Sequence, residues 1–433
     1  MEHPTRIGSV RSNPDPTDGG GSGPVGVSLF VSSWSASIHV ARHRVTSTHL
    51  IDQPIQTAAT ATAPQLVIAV EATRLAREVR GIGRYVRAIL PRLLEQRPGI
   101  RLVLFVNNLR HADAVNRIFS DNPSLRNRVD VRPVRELARS DADVFWYPWN
   151  VASPLPSRGA VVVTVHDVAP LAFPDPRVFK GLKNLRWRRR YRATAESADV
   201  IIADSAFTAT EVHRYLNFPH DRMRVVLLAA DDLEIPSGGR DVEALERLGV
   251  ERPFVLAVGA ADRRKNLSLV TRAMNRVVES IPGATLVLAG PRGDRMPAEA
   301  AAVWRRTLGF VSEEDLTTIY RSASVLVMPS TYEGFGLPVL EAMRLGTPVI
   351  CARSSSLPEV AGDAAIWIDP QDDVGLASSI VSVLTDERLR TRLSAASLAQ
   401  ASRFSWNETA RLTLAAFDDA LKLSSPVRRS VAG

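Results

Sequence analysis

The strongest constraint in this sequence is an alternation that starts twice. Short, nearly continuous runs of Val, Ile, Leu and Ala are followed by longer stretches with apolar residues at helical spacing. Leu66-Val67-Ile68-Ala69-Val70 opens the first series, and residues 83–96 read as its first helix. Residues 102–106, Val144-Phe145-Trp146, residues 161–165 and Val200-Ile201-Ile202-Ala203 read as strands, with a helical region at 186–197. A strand apolar at every residue is buried on both faces, as in a parallel sheet covered by helices. Strands alternating with helices make βαβ units. After a polar break at 231–240 the pattern restarts with strands at 254–258, 285–289, 325–328 and 347–350, and helices at 267–278 and 338–345. Residues 378–384 and 408–422 read as long helices that return across a cleft. The expectation is an α/β chain of two doubly wound, Rossmann-like domains, at 65–235 and 236–405, with a last helix and tail at 406–433 returning to the first.

Residues 1–64 do not follow this pattern. Gly19-Gly20-Gly21-Ser22-Gly23-Pro24 is too flexible to bury a core, and residues 57–64 are small-residue linker. This extension is expected to be disordered, or to reflect a wrongly chosen start codon. The 433 residues, 45% of them hydrophobic, suffice for more than one core. A single cysteine, Cys351, excludes a disulfide framework and a cysteine-based zinc site; it reads as a small buried residue after a strand. No run of about 18 apolar residues exists to span a membrane, and the N-terminus lacks the layout of a secretory signal, so cytoplasm is the default compartment.

The net charge of +8 is uneven. Residues 65–235 hold 27 basic and 19 acidic side chains (27 − 19 = +8), while the flanking segments are balanced. The density peaks at Arg186, Arg188, Arg189, Arg190 and Arg192. This run reads either as a solvated helix face or as a surface for an anionic acceptor or membrane, which would place the chain at the inner face of the plasma membrane. No recognition module accompanies it, which argues against nucleic acid.

Ligands of open α/β sheets bind beyond the carboxyl ends of strands, and four such loops carry chemistry. After the 325–328 strand, Glu333-Gly334-Phe335-Gly336-Leu337 opens a helix that carries Glu341. Its free amides and helix N-terminus suit an anion, and the two acids, eight residues apart across the bend, can face one pocket. After the 254–258 strand, Gly259 leads into Asp262-Arg263-Arg264-Lys265-Asn266. Three crowded cations call for an anion nearby, and Arg can fork onto phosphate. His166-Asp167 ends the 161–165 strand, where His166 reads as a cleft-facing group for sugar hydroxyls or as a structural histidine. Gly81 and Gly83 form a weak glycine signal, since the third glycine of a dinucleotide loop is missing. The acidic partner of a Rossmann oxidoreductase is missing too.

The segment "YEGFGLPVLEAMRLGTP" at residues 332–348 resembles the E-x7-E region of glycosyltransferase family 4, the retaining enzymes of GT-B fold. "VGAADRRKNL", "GIGRYV", "VHDVAPLAFP" and "FSWNETA" resemble its donor loop, glycine loop, His loop and last-helix segment. The resemblance covers about residues 66–422. It implies a hexose transferred from a nucleotide-diphosphate sugar, with GDP-mannose first and a UDP- or TDP-hexose second, to a glycan or lipid-linked hydroxyl. It implies an acceptor-binding first domain and a donor-binding second one. Arg264 and Lys265 would neutralise the diphosphate, with Gly259 beside them. Glu333 and His166 would contact the transferred sugar, the Phe335, Gly336 and Leu337 amides would hold sugar or phosphate, and Glu341 would bind the ribose. Gly81 and Gly83 would close over donor phosphate or acceptor. Arg263 stands where the family has Pro, and Arg344-Leu345 where it has small residues. Fixed cations and amides can stabilise a leaving diphosphate without a metal, so no cofactor is expected. The competing reading is a catalytically silent nucleotide-sugar or glycan-binding protein of an assembly complex.

Overall fold

Two parallel sheets are built from the two series of apolar runs. The structure, a computed structural model, describes residues 66–424 except 79, 121, 175–177, 234–239, 260–261 and 292–301. The expectation for residues 1–64 lies outside the described residues, as does most of the polar break. The chain from Ala61 onward forms one compact unit that holds both sheets.

The first sheet contains β1 (Leu66–Glu71), β2 (Ile100–Val106), β3 (Val129–Pro133), β4 (Val144–Tyr147), β5 (Ala160–Val165), β6 (Val200–Ala203) and β7 (Met223–Val225), in the order β3-β2-β1-β4-β5-β6-β7. The second contains β8 (Phe254–Val258), β9 (Thr285–Ala289), β10 (Arg305–Gly309), β11 (Val325–Met328), β12 (Val349–Ala352) and β13 (Ala365–Ile368), in the order β10-β9-β8-β11-β12-β13. Every pairing is parallel. Both are doubly wound, and the strand order reverses between β1 and β4 and between β8 and β11. All six residues of β5 and all four of β11 are buried, which is why these segments carry no polar alternation. Cys351 lies within β12, rather than after a strand, and is fully buried; burial pushes its thiol up to about 12.

The helices that position the site are α1 (Ile82–Gln96), α2 (Val178–Ser197), α3 (Ala206–Leu216), α4 (Leu267–Ser280), α5 (Glu313–Ser322), α6 (Leu337–Arg344), α7 (Leu357–Ala361), α8 (Asp373–Thr385), α9 (Glu387–Ala401) and α10 (Trp406–Leu423). Ser205, Ser312, Asp372, Asp386 and Ser405 cap α3, α5, α8, α9 and α10 through side-chain oxygens, each contributing about 1 kcal/mol. The buried stripe of α10, Trp406, Ala410, Thr413, Phe417 and Ala420, recurs every three or four residues. It packs on α1 and β5, with Phe417 edge-on to Trp146 at 5.8 Å between centroids. No described helix is long and apolar enough to cross a membrane.

Candidate active site

The loops after β8 and β11 leave the second sheet at its reversal point, the place where open α/β sheets bind ligands. They lie side by side. The Thr331 amide donates to the Arg264 carbonyl (2.8 Å), and Asn266 Nδ2 donates to the carbonyls of Pro329 (3.3 Å) and Pro370 (2.7 Å). Lys265 Nζ meets Glu333 Oε1 at 2.7 Å. Asp262 caps the short 3₁₀ turn by accepting from the Arg264 amide (3.0 Å), and its carboxylate takes the Arg264 side chain (2.9 and 3.1 Å). Burial pulls the Asp262 pKa up, but the Arg264 hydrogen bonds and charge outweigh it and hold the carboxyl below its usual range. Arg264 also lies 3.8 Å from Asp167 of the first sheet's domain. Arg263 is exposed, with no ion pair among the described residues.

Gly336 N-caps α6 at φ +105, a conformation glycine adopts without steric cost. Among the described residues, the amides of Phe335, Gly336 and Leu337 have no hydrogen-bond partner. They leave the positive N-terminus of α6 open. The Phe335 ring is buried against Phe404, so only its backbone can reach a ligand. Beside this turn is a cavity of about 330 Å³ lined by Gly81, Arg84, Gly259, Gly290, Phe310, Tyr320, Leu337 and Glu341 among others. Its lining is mostly apolar, with a few polar groups converging from α1, α5 and α6, as in small-molecule sites.

The first sheet's rim is used differently. His166 is buried, its Nδ1 2.5 Å from Asp204 Oδ2 and its Nε2 2.9 Å from the Pro148 carbonyl. Nε2 faces a carbonyl and so donates, and Nδ1 shares a proton with the Asp204 carboxyl, whose own pKa burial raises. Burial pulls the His166 pKa down, but the Asp204 charge and hydrogen bond outweigh burial and raise it. The imidazole thus has no nitrogen to spare for the cleft. What this strand end gives the cleft is backbone: a Cβ on Gly334 would stand 1.7 Å from the His166 carbonyl oxygen, so only glycine allows this approach. Ser205 and Thr208 hydroxyls donate to the Gly334 carbonyl (2.6 and 2.9 Å). Tyr332 lies between Phe173 and Phe207 (5.1 and 5.3 Å), and Glu359 of α7 caps α3 by accepting from the Ala206 and Phe207 amides (2.7 and 2.8 Å). Gly81 N-caps α1 and borders the cavity. Gly83 packs on the Glu78 carbonyl, where a side chain has no room.

Residues 244–400 match the model of the family described as glycosyl transferases group 1, and residues 79–232 that of glycosyltransferase family 4. The O-antigen chain mannosyltransferase B of Escherichia coli is 33% identical over 274 residues, covering 59% of this chain and 69% of that protein. The chain belongs to the family 4 glycosyltransferases. A serotype-specific mannosyltransferase, WbdA of Escherichia coli, is 31% identical over 280 residues, 61% of this chain but 34% of that protein, so the chain spans about a third of WbdA. Among solved structures, the sucrose-phosphate synthase of Thermosynechococcus elongatus superposes with a TM-score of 0.62 at 20% identity, over 83% of this chain and 100% of that one. Anabaena HepE in complex with UDP and glucose superposes with a TM-score of 0.63 at 17% identity, over 82% and 99%. At these identities the likeness is one of fold.

Several residues around this cavity have roles that a reading of the sequence does not give. Asp232, Tyr320 and Glu359 carry no motif; Arg84 and Asn266 lie in the glycine and donor loops, but the partners of Arg84 (Asp232 and Glu341) are 148 and 257 residues away. Asp262 left a signal, an N-capping residue directly before a basic turn.

Proposed function

We propose that this glycosyltransferase moves a hexose from a nucleoside-diphosphate sugar to a hydroxyl of a glycan or lipid-linked acceptor, with retention of anomeric configuration. Mannose from GDP-mannose is the first candidate, supported by the printed activities of the E. coli relatives, and a UDP- or TDP-hexose the second. The observation that carries the reading is the juxtaposition of the Lys265 loop and the Glu333–Leu337 turn beside an apolar cavity. Lys265, Arg264 and the three free amides form a preorganised positive cup for a diphosphate, and the cavity takes the nucleoside. As the bond from sugar C1 to the phosphate oxygen breaks, negative charge grows on the diphosphate, where these fixed groups stabilise it. The acceptor oxygen bonds to C1 from the same face, and its proton passes to the departing phosphate oxygen. The cations supply the charge a metal would bring, so the reaction proceeds without one. Glu333, held by Lys265, contacts the sugar hydroxyls, and Glu341 the ribose. His166 fixes the strand end against which Gly334 packs.

The test is a transfer and hydrolysis assay over GDP-, UDP-, TDP- and ADP-sugars in excess EDTA. One donor should turn over, and Glu333→Ala should abolish the turnover. Binding without turnover of any donor would instead support a silent nucleotide-sugar binder, and activity that vanishes with EDTA and returns with Mn²⁺ would overturn metal independence. We also propose that the exposed Arg186, Arg188, Arg189 and Arg190 of α2 meet an anionic acceptor or the inner membrane face. Flotation with anionic but not neutral liposomes supports the membrane version, and equal flotation with both contradicts it.

A further inference from the structure

One wall of the donor cavity is an arginine that the chemistry above does not use. Arg84 sits on the first turn of α1, in the first sheet's domain, yet its Nη1 reaches Glu341 Oε1 on α6 at 2.8 Å. It is nearly buried, with 7% of its side chain exposed. Its Nε donates to Asp232 Oδ2 (2.9 Å), and Asp232 also accepts from the Trp406 indole N–H (2.7 Å). The guanidinium is thus held rigid by the segment that leaves the first sheet and by the start of α10. On the other side of Glu341, the Tyr320 hydroxyl donates to Oε2 (2.9 Å).

We propose that Arg84 is a positioning residue for the nucleotide: it aims the Glu341 carboxylate at the ribose and does so only while the two domains are docked, so that ribose capture and docking are one equilibrium. This rests on the donor reading of the cavity. The geometry suits the task. A carboxylate offers about four acceptor sites, two on each oxygen. Arg84 and Tyr320 take one each, which leaves one on either oxygen for a vicinal diol. The guanidinium fork grips Asp232 through Nε and Nη2, which fixes where the third nitrogen, Nη1, meets Glu341 Oε1; a mobile ammonium would not be held in this way.

The charged and titratable groups facing Glu341 are Arg84 from α1, Asp232 after the first sheet and Tyr320 of α5; Arg80 and Glu313 line the same cavity. Glu359 of α7 points away, to α3. Burial raises the Glu341 pKa, Asp232 raises it further, and Arg84 with the Tyr320 hydrogen bond opposes them. With Arg84 gone, Glu341 takes up a proton at higher pH and loses acceptor capacity toward the diol. Affinity should then fall as pH falls.

The measurement is the dissociation constant for GDP, UDP, TDP and ADP at pH 8 and pH 6, as a ratio of variant to wild type so that titration of the phosphate cancels. Arg84→Gln should weaken whichever nucleotide the wild type binds by about tenfold at pH 8 and by about 100-fold at pH 6. Arg84→Lys, which restores a cation, should show the same ratio at both pH values. Arg84→Gln combined with Glu341→Gln should lose the pH dependence. If Arg84→Gln does not unfold cooperatively, Asp232→Asn, which frees the guanidinium from its anchor, should weaken binding about threefold or more. Wild-type affinity in both Arg84→Gln and Asp232→Asn, or an Arg84→Gln ratio that does not change with pH, overturns the proposal alone. A wild-type protein that binds none of GDP, UDP, TDP and ADP overturns the donor reading along with it.

Discussion

The rims of the two sheets face each other and do opposite things. On the second sheet, the loops after β8 and β11 present Lys265, Glu333, Arg264 and three free amides to the space above them. On the first, the most polar group, His166, turns inward and spends both ring nitrogens on Asp204 and Pro148. What that rim offers is contact: the His166 carbonyl against Gly334, two hydroxyls on the Gly334 carbonyl, and the start of α3 received by Glu359. The comparison teaches a division of labour. On the proposed reading one rim holds the anion, and the other holds that rim in place.

This contrast can be broken in graded ways. Lys265→Ala removes the charge proposed to meet the leaving diphosphate and should lower kcat/KM for transfer by about 10²–10³-fold; a loss below tenfold would move the anion site elsewhere. Gly334→Ala puts a methyl into the His166 carbonyl and forces the domains apart, which should cost about 10² in turnover while nucleotide affinity stays within a few-fold. Equal loss of both would mean that this turn is deformed rather than merely undocked. Glu359→Ala removes a helix cap supplied across the domains, worth about 1 kcal/mol, and should lower turnover about fivefold with little change in the thermal midpoint.

A smaller effect concerns pH. The His166 pKa is raised in the folded chain, so its pairing stabilises fully below the ordinary histidine value of about 6.5 and is lost as pH rises through the folded value. The gap in thermal midpoint between wild type and His166→Gln should therefore narrow as pH rises from 6 to 9. A constant gap would mean that the His166 pKa is not raised. Least of all should happen at the donor site when Arg186, Arg188, Arg189 and Arg190 are changed to Gln. These exposed side chains lie on α2 of the first domain, and donor affinity should stay within twofold, since single surface changes rarely exceed about 0.5 kcal/mol.

How much was legible in the sequence follows the same physics. The central strands β1, β4, β5, β8, β9 and β11 announce themselves as unbroken apolar runs, because helices cover both their faces. The strands that did not announce themselves are β3, β7, β10 and β13, which are the four sheet edges. In β3, β7 and β10 partly exposed residues such as Arg132, Arg224 and Arg306 break the apolar run; β13, Ala365–Ile368, stays apolar and has no such break. The helix α9 was also hidden, because its apolar positions form no clear stripe. At the site, glycines, cations and acids clustered within one loop were readable, because loop, strand and helix start are contiguous in sequence. The direction of the His166 ring was not: it depends on Asp204, 38 residues away. Docking residues such as Glu359, whose partners lie 152 and 153 residues distant, leave no local trace at all.

The central claim is that the second sheet's rim is a diphosphate cup. Calorimetric titration of the wild type with the preferred nucleoside diphosphate and with its parent nucleoside, repeated on an Arg264→Ala, Lys265→Ala double variant, tests it most directly. The diphosphate should bind the wild type at least about 100-fold more tightly than the nucleoside, roughly two charge-assisted contacts, and the double variant should bind both alike. A preference for the diphosphate that survives in the double variant would contradict the account.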